Sequence, residues 1–406
     1  MIDRTDRKGR KISQLGFGVM RIPRIAGSKE IDVARSVALL REAYAKGINY
    51  FDTAYIYDGG KNEEVLGEAV KPFRKEIAIA TKIPPYMVRS PGDFDRVLNK
   101  SLSRLKTDYI DYYLVHAMMD FDSFERLEAM GFSDWVRQKK EAGTIINIGF
   151  SFHGKCDDFI KIIDAYDWDF CQIQYNYWDI NFQAGQRGLD YASQKGVPVI
   201  VMEPLRGGTL ITAQPPEAMD AFKACHPERT MAEWGLRFVW DQPGVLTVLS
   251  GMSDEKQLAE NLLTAETATP LSLTPEERAC YETSRLTVLS KQSIGCTGCG
   301  YCQPCPYGVA IPGCFSSYND YKLFHRLNWR IKYIWTVGGL SANPGFASQC
   351  RACGACEKKC PQGLPIIKLL QTVRRQFEFP LMIPVLRLIG KVKRRKAERK
   401  KAAKNV

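Results

Sequence analysis

The sequence predicts an α/β fold, a (β/α)8 TIM barrel followed by a small cysteine-rich domain, and three observations predict it. Eight short apolar runs alternate with helix-like stretches over about 250 residues, the usual size of a closed eight-stranded barrel. Three successive runs each end in a polar residue of a different and chemically complementary type: Asp52, Lys82 and His116. Nine of the thirteen cysteines fall between Ser293 and Leu370, after the alternation has ended.

Taken in order, residues Ile2 to Ser13, with Lys8-Gly9 in the middle, read as a small hairpin. The run Leu15 to Gly18 precedes a helix over Glu30 to Lys46; Ile48 to Phe51 precedes Asn62 to Val70; Ile77 to Thr81 precedes Phe94 to Leu105. Ile110 to Val115 is followed by a helix near Phe124 to Ala142, Ile145 to Phe150 by Cys156 to Ala165, and Cys171 to Gln174 by Gly185 to Lys195. Val197 to Val201 and Leu246 to Leu249 complete eight strands, the last followed by a helix from Asp254 to Leu263, and a further helix follows Pro275. Such alternation argues for parallel strands. The competing topology, an open doubly wound sheet, normally announces itself with a glycine fingerprint after its first strand, and Gly16-Phe17-Gly18-Val19-Met20 lacks the third glycine.

With 406 residues the chain exceeds what one core usually fills, so domains at 1–285 and 286–375 and a tail at 376–406 are expected. The apolar fraction of 45% and charged fraction of 25% are ordinary for a globular protein. The start, Met1 to Arg7, has no signal-peptide pattern, and no apolar run is long enough to cross a bilayer, which points to a cytoplasmic protein. Cytosolic thiols stay reduced, so the cysteines read as metal ligands or packing rather than disulfides; Cys156, Cys171, Cys225 and Cys280 read as small buried hydrophobes.

The stretch Phe51-Asp52-Thr53-Ala54-Tyr55-Ile56-Tyr57 places an acid and a phenol five residues apart where a strand gives way to a loop, so both can face one cavity. A phenol is a poor acid at neutral pH. It hands a proton to a carbonyl oxygen only where a nearby cation stabilises the phenolate, and Lys82 at the end of the next strand is placed to do so.

In this set of residues the chain resembles the aldo-keto reductases. The family's acid, tyrosine, lysine and histidine match Asp52, Tyr57, Lys82 and His116 within the local contexts FDTA, ATK and LVH, and the resemblance covers residues 10–265. It implies hydride transfer from NAD(P)H to a small carbonyl substrate, with Tyr57 as proton donor, Lys82 lowering its pKa, Asp52 holding Lys82, and His116 orienting the carbonyl oxygen. It also implies a set of cofactor contacts: Gly18 and Met20 near the nicotinamide, Ser151 and Gln172 on its carboxamide, Leu205 and Gly207 along the pyrophosphate, Glu260 and Asn261 at the adenine. The sequence departs from the family pattern in several places. Met202 stands where many members stack an aromatic ring, and Phe152-His153 follows Ser151 where many have Asn. Gly251 and Gln257 replace the basic pair that grips a 2′-phosphate, with Arg206 as a compensating cation. Tyr55, Trp178 and Met118-Met119 suggest an apolar substrate lining.

The cysteine domain carries two sets, Cys296-x2-Cys299-x2-Cys302-x2-Cys305-Pro306 and Cys350-x2-Cys353-x2-Cys356-x3-Cys360-Pro361. Three thiolates at three-residue steps reach three irons of one cubane, while the fourth, before proline, ligates the other cluster of a pair. Zinc, which also takes paired CxxC, is the alternative, but its ribbons use two ligands per loop rather than three plus one. The domain resembles a bacterial ferredoxin with two [4Fe-4S] clusters and a long insertion. The resemblance implies one cluster on Cys296, Cys299, Cys302 and Cys360 and another on Cys350, Cys353, Cys356 and Cys305, with Cys314 the substitute should the shorter first spacing displace Cys305. A hydride carries two electrons and a cluster passes one, so exchange between nicotinamide and clusters would need a flavin, for which no signature is seen. The clusters are therefore expected to serve an external one-electron partner or to hold the appended domain together.

From Lys391 onward nine basic residues face one acidic, which accounts for eight of the twelve net positive charges. After Phe377, this tail invites a membrane or nucleic-acid reading, but Pro380 and Pro384 interrupt any long amphipathic helix and a solvated end is expected, with neither partner. The leading expectation is a carbonyl reductase. The alternatives are an electron-transfer or redox-sensing protein with the barrel as scaffold, and a nicotinamide-binding regulatory subunit.

Overall fold

The structure is a computed structural model that describes residues 1–379 except 29, 213, 292, 297–299, 301, 325–328, 338–343 and 361–362, with Phe324 and Trp335 described by backbone alone. Cys299, and the tail from Pro380 with its basic run after Lys391, lie outside the described residues. The chain divides into two compact units, Met1–Thr212 with Phe222–Tyr281, and Ala213–Ala221 with Glu282–Val406 as far as these are described.

In the first unit β1 (Asp3–Thr5) and β2 (Lys11–Ser13) form an antiparallel hairpin. Eight parallel strands then close a barrel: β3 (Leu15–Gly18), β4 (Tyr50–Asp52), β5 (Ala78–Ile83), β6 (Ile110–Met118), β7 (Ile145–Phe152), β8 (Phe170–Gln174), β9 (Val199–Met202) and β10 (Val245–Ser250), with β10 returning to pair with β3. The strands read as continuous apolar runs because both faces are buried. Side chains alternate: Tyr50, Ala78, Ala80, Tyr112, Leu114, Phe170 and Ile200 form one buried cluster filling the barrel. Phe51, Ile79, Tyr113, Val115, Cys171, Val199 and Val201 face the surrounding helices. Each such fully buried large side chain contributes about 1.5–3 kcal/mol. The hairpin is tied to the barrel by Arg4, which donates to the carbonyls of Trp240 (2.6 Å), Gln242 (2.9 Å) and Val245 (2.5 Å), and by Asp6, which accepts from the Tyr112 hydroxyl at 2.5 Å.

The helical reading needs two corrections. The stretch expected as one helix near Phe124 to Ala142 is two, Phe121–Glu128 and Phe132–Glu141, separated at Gly131, whose φ of 83° no continuing helix allows. Helices at Thr209–Thr212 and Pro216–Cys225, and then one at Met231–Trp240 capped by Thr230, fill an interval that the sequence reading left without any. The run of Trp234, Leu236, Val239 and Trp240 in the last of these is buried on so many sides that helical periodicity is obscured.

In the second unit the helices Ile311–Phe324, Trp329–Thr336 and Ile366–Phe377 contribute to a core that includes Phe315, Tyr333, Phe346 and Phe377, with the Tyr333 and Phe377 rings stacked at 4.8 Å. Cys296, Cys302, Cys305, Cys350, Cys356 and Cys360 are partly buried against that same core. Among the described residues no helix is long and apolar enough to cross a membrane.

Candidate active site

Parallel pairing brings the carboxyl ends of the strands to one mouth. Gly18 lies opposite Asp52, Asp52 opposite Ala80, Lys82 opposite Leu114, Ser151 opposite Gln172 and Gln174 opposite Met202. Asp52 and Lys82 are buried there, 4% and 1% exposed, and the Lys82 ammonium donates to Asp52 Oδ1 at 2.5 Å and to the Thr53 carbonyl at 2.8 Å. The other carboxylate oxygen of Asp52 accepts from Gln172 Nε2 at 2.9 Å, so the acid is held from two sides. Tyr57 opens the turn after β4. Its ring centroid lies 5.3 Å from Lys82 Nζ, and the His116 ring stands edge-on to it at 5.9 Å. All four residues of the expected tetrad are thus brought together.

Electrostatics modify the expected roles. Burial pulls the Lys82 pKa down, but Asp52 and then Tyr57 outweigh it, and the net shift is upward, so the buried amine stays charged. The Lys82 cation pulls the Tyr57 pKa down, in the expected direction, but does not set the net shift. Burial raises it more than Lys82 lowers it, Asp52 and Glu203 add to the rise, and the phenol is a firmly held neutral acid. His116 is pushed down to about 3 by burial, the Lys82 cation and His153, so its imidazole is neutral, and its Nδ1 is buried without a hydrogen-bond partner.

The residues expected to hold a cofactor are placed as follows. Ser151 Oγ accepts from the Ala117 amide at 2.7 Å, and Gln172 is engaged by Asp52, so each spends part of its hydrogen-bonding capacity inside the barrel. Asn261 is buried and donates to Ser250 Oγ at 2.9 Å, while Glu260 lies 3.9 Å from Lys256. Met20 is 53% exposed. Leu205 and Gly207 lie in a turn where Glu203, Arg206, Gly207 and Gly208 all have positive φ. Arg206, expected as a compensating cation, is paired with Asp179 at 2.9 Å. Arg21, which the sequence reading passed over, donates to the Gly207 carbonyl at 2.8 Å, and a Cβ on Gly251 would meet its stem at 3.3 Å. It carries a cation to the place where the usual basic pair is missing.

Of the residues expected to line the substrate site, Met119 is exposed. Met118 is fully buried, Tyr55 lies under the Arg104 guanidinium at 4.6 Å and Trp178 near that of Arg206. Polar groups also come together here: His153 is within electrostatic reach of Glu203 and Lys82 and lies close to Gln183. These come from the ends of different strands and loops, and no spacing in the sequence links them.

In the second unit Cys353 is exposed, and the remaining described cysteines of the two sets are half-buried. Cys314 is fully buried, with Sγ 3.7 Å from the Gly345 carbonyl, and is close enough to Cys305 and Cys350 to interact with both by charge; Cys356 is likewise within reach of Cys350. Members of both sets therefore share one neighbourhood. Among the described residues no three such side chains are grouped as ligands of a single metal ion. Cys156, Cys225 and Cys280 are only half-buried, unlike Cys171, because they sit on helix surfaces rather than in a strand.

Comparison with known proteins agrees with this geometry. Residues 295–364 match the 4Fe-4S dicluster domain model, which favours iron–sulfur ligation over zinc for the cysteine sets. Among curated relatives, the uncharacterized oxidoreductase YqkF of Bacillus subtilis is 28% identical over 66% of this chain and 90% of its own length. L-galactose dehydrogenase of Arabidopsis thaliana is 29% identical over 63% and 84%. The holo form of an aldo-keto reductase from Bacillus halodurans superposes with a TM-score of 0.58 at 26% identity, covering 70% of this chain and 96% of that one. Residues 14–273, well over half of the chain, match the aldo/keto reductase family model, and the protein belongs to that family of oxidoreductases.

Proposed function

We propose that this protein reduces the carbonyl group of a small aldehyde or ketone with NAD(P)H at the open mouth of the barrel, with Tyr57 as the proton donor. One observation carries the reading: a buried, charged Lys82 locked by Asp52 beside a neutral, half-buried Tyr57. The bound nicotinamide supplies hydride. Tyr57 releases its proton to the carbonyl oxygen, and the phenolate that remains faces the Lys82 ammonium, whose charge Asp52 and the Thr53 carbonyl keep in place. Neutral His116, with Nδ1 lacking a partner, holds its proton on Nε2 and donates it as a hydrogen bond to the same oxygen.

The chain's residues fit such a cofactor. Gly207 lies at φ 66° with the Arg21 guanidinium against it, so that a Cβ there would meet the guanidinium at 2.9 Å, and a cation stands beside this turn for an anionic group. Gly18, Met20, Ser151, Gln172, Leu205, Gly207, Glu260 and Asn261 are assigned to it. In the second unit, two [4Fe-4S] clusters are assigned to Cys296, Cys299, Cys302 and Cys360, and to Cys350, Cys353, Cys356 and Cys305, the domain spanning 286–375. The dicluster match also supports one-electron exchange with an external partner, which this reading keeps separate from carbonyl chemistry because a hydride carries two electrons and a cluster passes one. A panel of aldehydes and ketones assayed with NADPH and NADH, wild type against Tyr57→Phe, tests the reading. Turnover of at least one substrate that falls by about 10²-fold or more in the variant is expected, and equal turnover in both would refute it.

A further inference from the structure

We propose that Arg104, far from Tyr57 in sequence, is a positioning residue that sets the phenol against Lys82. It rests on the reading of Tyr57 as proton donor. The turn carrying Tyr57 is irregular. Asp58, Gly59 and Gly60 have φ of 44°, 68° and 100°, three successive left-handed residues, and its backbone bonds include Tyr57 N to the Ala54 carbonyl, Gly59 N to the Ile56 carbonyl and Lys61 N to the Asp58 carbonyl. A non-glycine residue in that conformation is strained and persists only where surrounding contacts demand it. Arg24 holds the Asp58 carboxylate at 2.9 Å, and Arg104, near the end of the helix Gly92–Leu105, holds the backbone on either side of Tyr57. Its Nη1 donates to the Tyr55 carbonyl at 3.0 Å and its Nη2 to the Gly59 carbonyl at 3.2 Å, so that it grips the chain two residues before and two residues after Tyr57. The guanidinium also covers the Tyr55 ring.

The grip is anchored on the strand that carries Lys82. Arg104 pairs with Glu63 at 3.0 Å, the carboxylate being fully buried and the arginine 12% exposed. The other oxygen of Glu63 accepts from Thr81 Oγ1 at 2.7 Å, and Thr81 directly precedes Lys82 on β5. A buried carboxylate in a helix that sequence patterning would treat as amphipathic is costly unless paired on both oxygens, as this one is. The route from Thr81 through Glu63 and Arg104 to the two carbonyls fixes the distance between the ammonium and the phenol. Lysine carries the same charge but has no fork with which to hold both carbonyls and the carboxylate.

The experiment compares Arg104→Lys in the wild-type and Tyr57→Phe backgrounds, using a carbonyl substrate that the full-length enzyme turns over. Arg104→Lys is expected to lower kcat about tenfold while leaving cofactor Kd, read by fluorescence titration, within about twofold. In the Tyr57→Phe background the same change should cost nothing further, because Arg104 acts through the phenol. Equal losses in both backgrounds, or no loss in wild type, would overturn the proposal. A Tyr57→Phe enzyme with undiminished turnover would overturn the proton-donor reading and this proposal with it. Should Arg104→Lys fail to fold, Gly60→Ala, whose new Cβ would fall 2.1 Å from the guanidinium carbon, displaces Arg104 from the turn side. The same loss confined to the Tyr57 background is expected. Arg104→Ala adds a third reading: millimolar guanidinium should restore kcat in that variant, and no restoration counts against the clamp.

Discussion

The barrel mouth and the cysteine domain solve the problem of holding reactive groups in opposite ways. At the mouth, every charge is set by another side chain: Asp52 holds Lys82, Gln172 holds Asp52, and Thr81 and Arg104 hold Glu63. In the second unit the described thiols Cys296, Cys302, Cys305, Cys350, Cys356 and Cys360 lean on a hydrophobic core rich in aromatic rings. The lesson is that a proton-transfer site must be pre-organised by the protein, since misplacing an acid by an ångström costs rate. A cluster site needs only thiols at the right spacing, because the metal itself imposes the geometry.

That contrast can be broken or sharpened by experiment. The largest effect is expected from Tyr57→Phe, which should lower kcat by about 10²- to 10⁴-fold in carbonyl reduction while leaving any iron–sulfur absorption unchanged. A residual rate near wild type would mean that the phenol is not the acid. Next comes Lys82→Met, which removes the cation facing the phenolate and should cost about 10²- to 10³-fold in kcat. It also strands Asp52, so chemical denaturation should register a loss of roughly 3–5 kcal/mol, and the double variant with Asp52→Asn should recover much of it.

A smaller effect concerns pH. His116 has a folded-state pKa near 3 against 6.5 for the ordinary side chain, so the unfolded chain binds the extra proton more readily. Its contribution to stability is whole above about pH 6.5 and is lost as pH falls toward 3, by up to a few kcal/mol in order of magnitude. Denaturation measured from pH 7 to 4 should show this slope in wild type and lose part of it in His116→Asn; identical slopes would count against a buried neutral imidazole. The smallest effect is the most telling for the comparison. Replacing Cys350 and Cys356 together by serine should remove the iron–sulfur absorption of the one cluster assigned to them yet change carbonyl turnover by less than about twofold. A parallel collapse of both signals would join the two chemistries that the present reading separates.

Much of this was legible in the chain. The strand ends bearing Asp52, Lys82 and His116 could be read because buried parallel strands are short apolar runs, and a polar residue closing one is conspicuous. The cysteine spacing was legible because a cubane needs local steps of three. What stayed hidden has physical causes. The helix Met231–Trp240 is buried around most of its circumference and carries no clear stripe, and the single helix expected near Phe124 to Ala142 breaks at one glycine in the left-handed region. Arg21 and the group of His153, Glu203 and Gln183 converge only when strands and loops far apart in the chain are closed into a ring.

By itself, then, the sequence determined the order of strands and helices, the four side chains that meet at the mouth and the thiol pattern beyond it. All of these depend on residue type and on spacing along the backbone. Only the tertiary structure decided which way the Tyr57 pKa moves, because burial and the Lys82 charge oppose each other and their balance depends on packing. Only it could decide that Glu63, Thr81 and Arg104 belong to one chain of contacts. A hydrogen bond between residues forty apart is a property of how elements pack, and no local pattern encodes it.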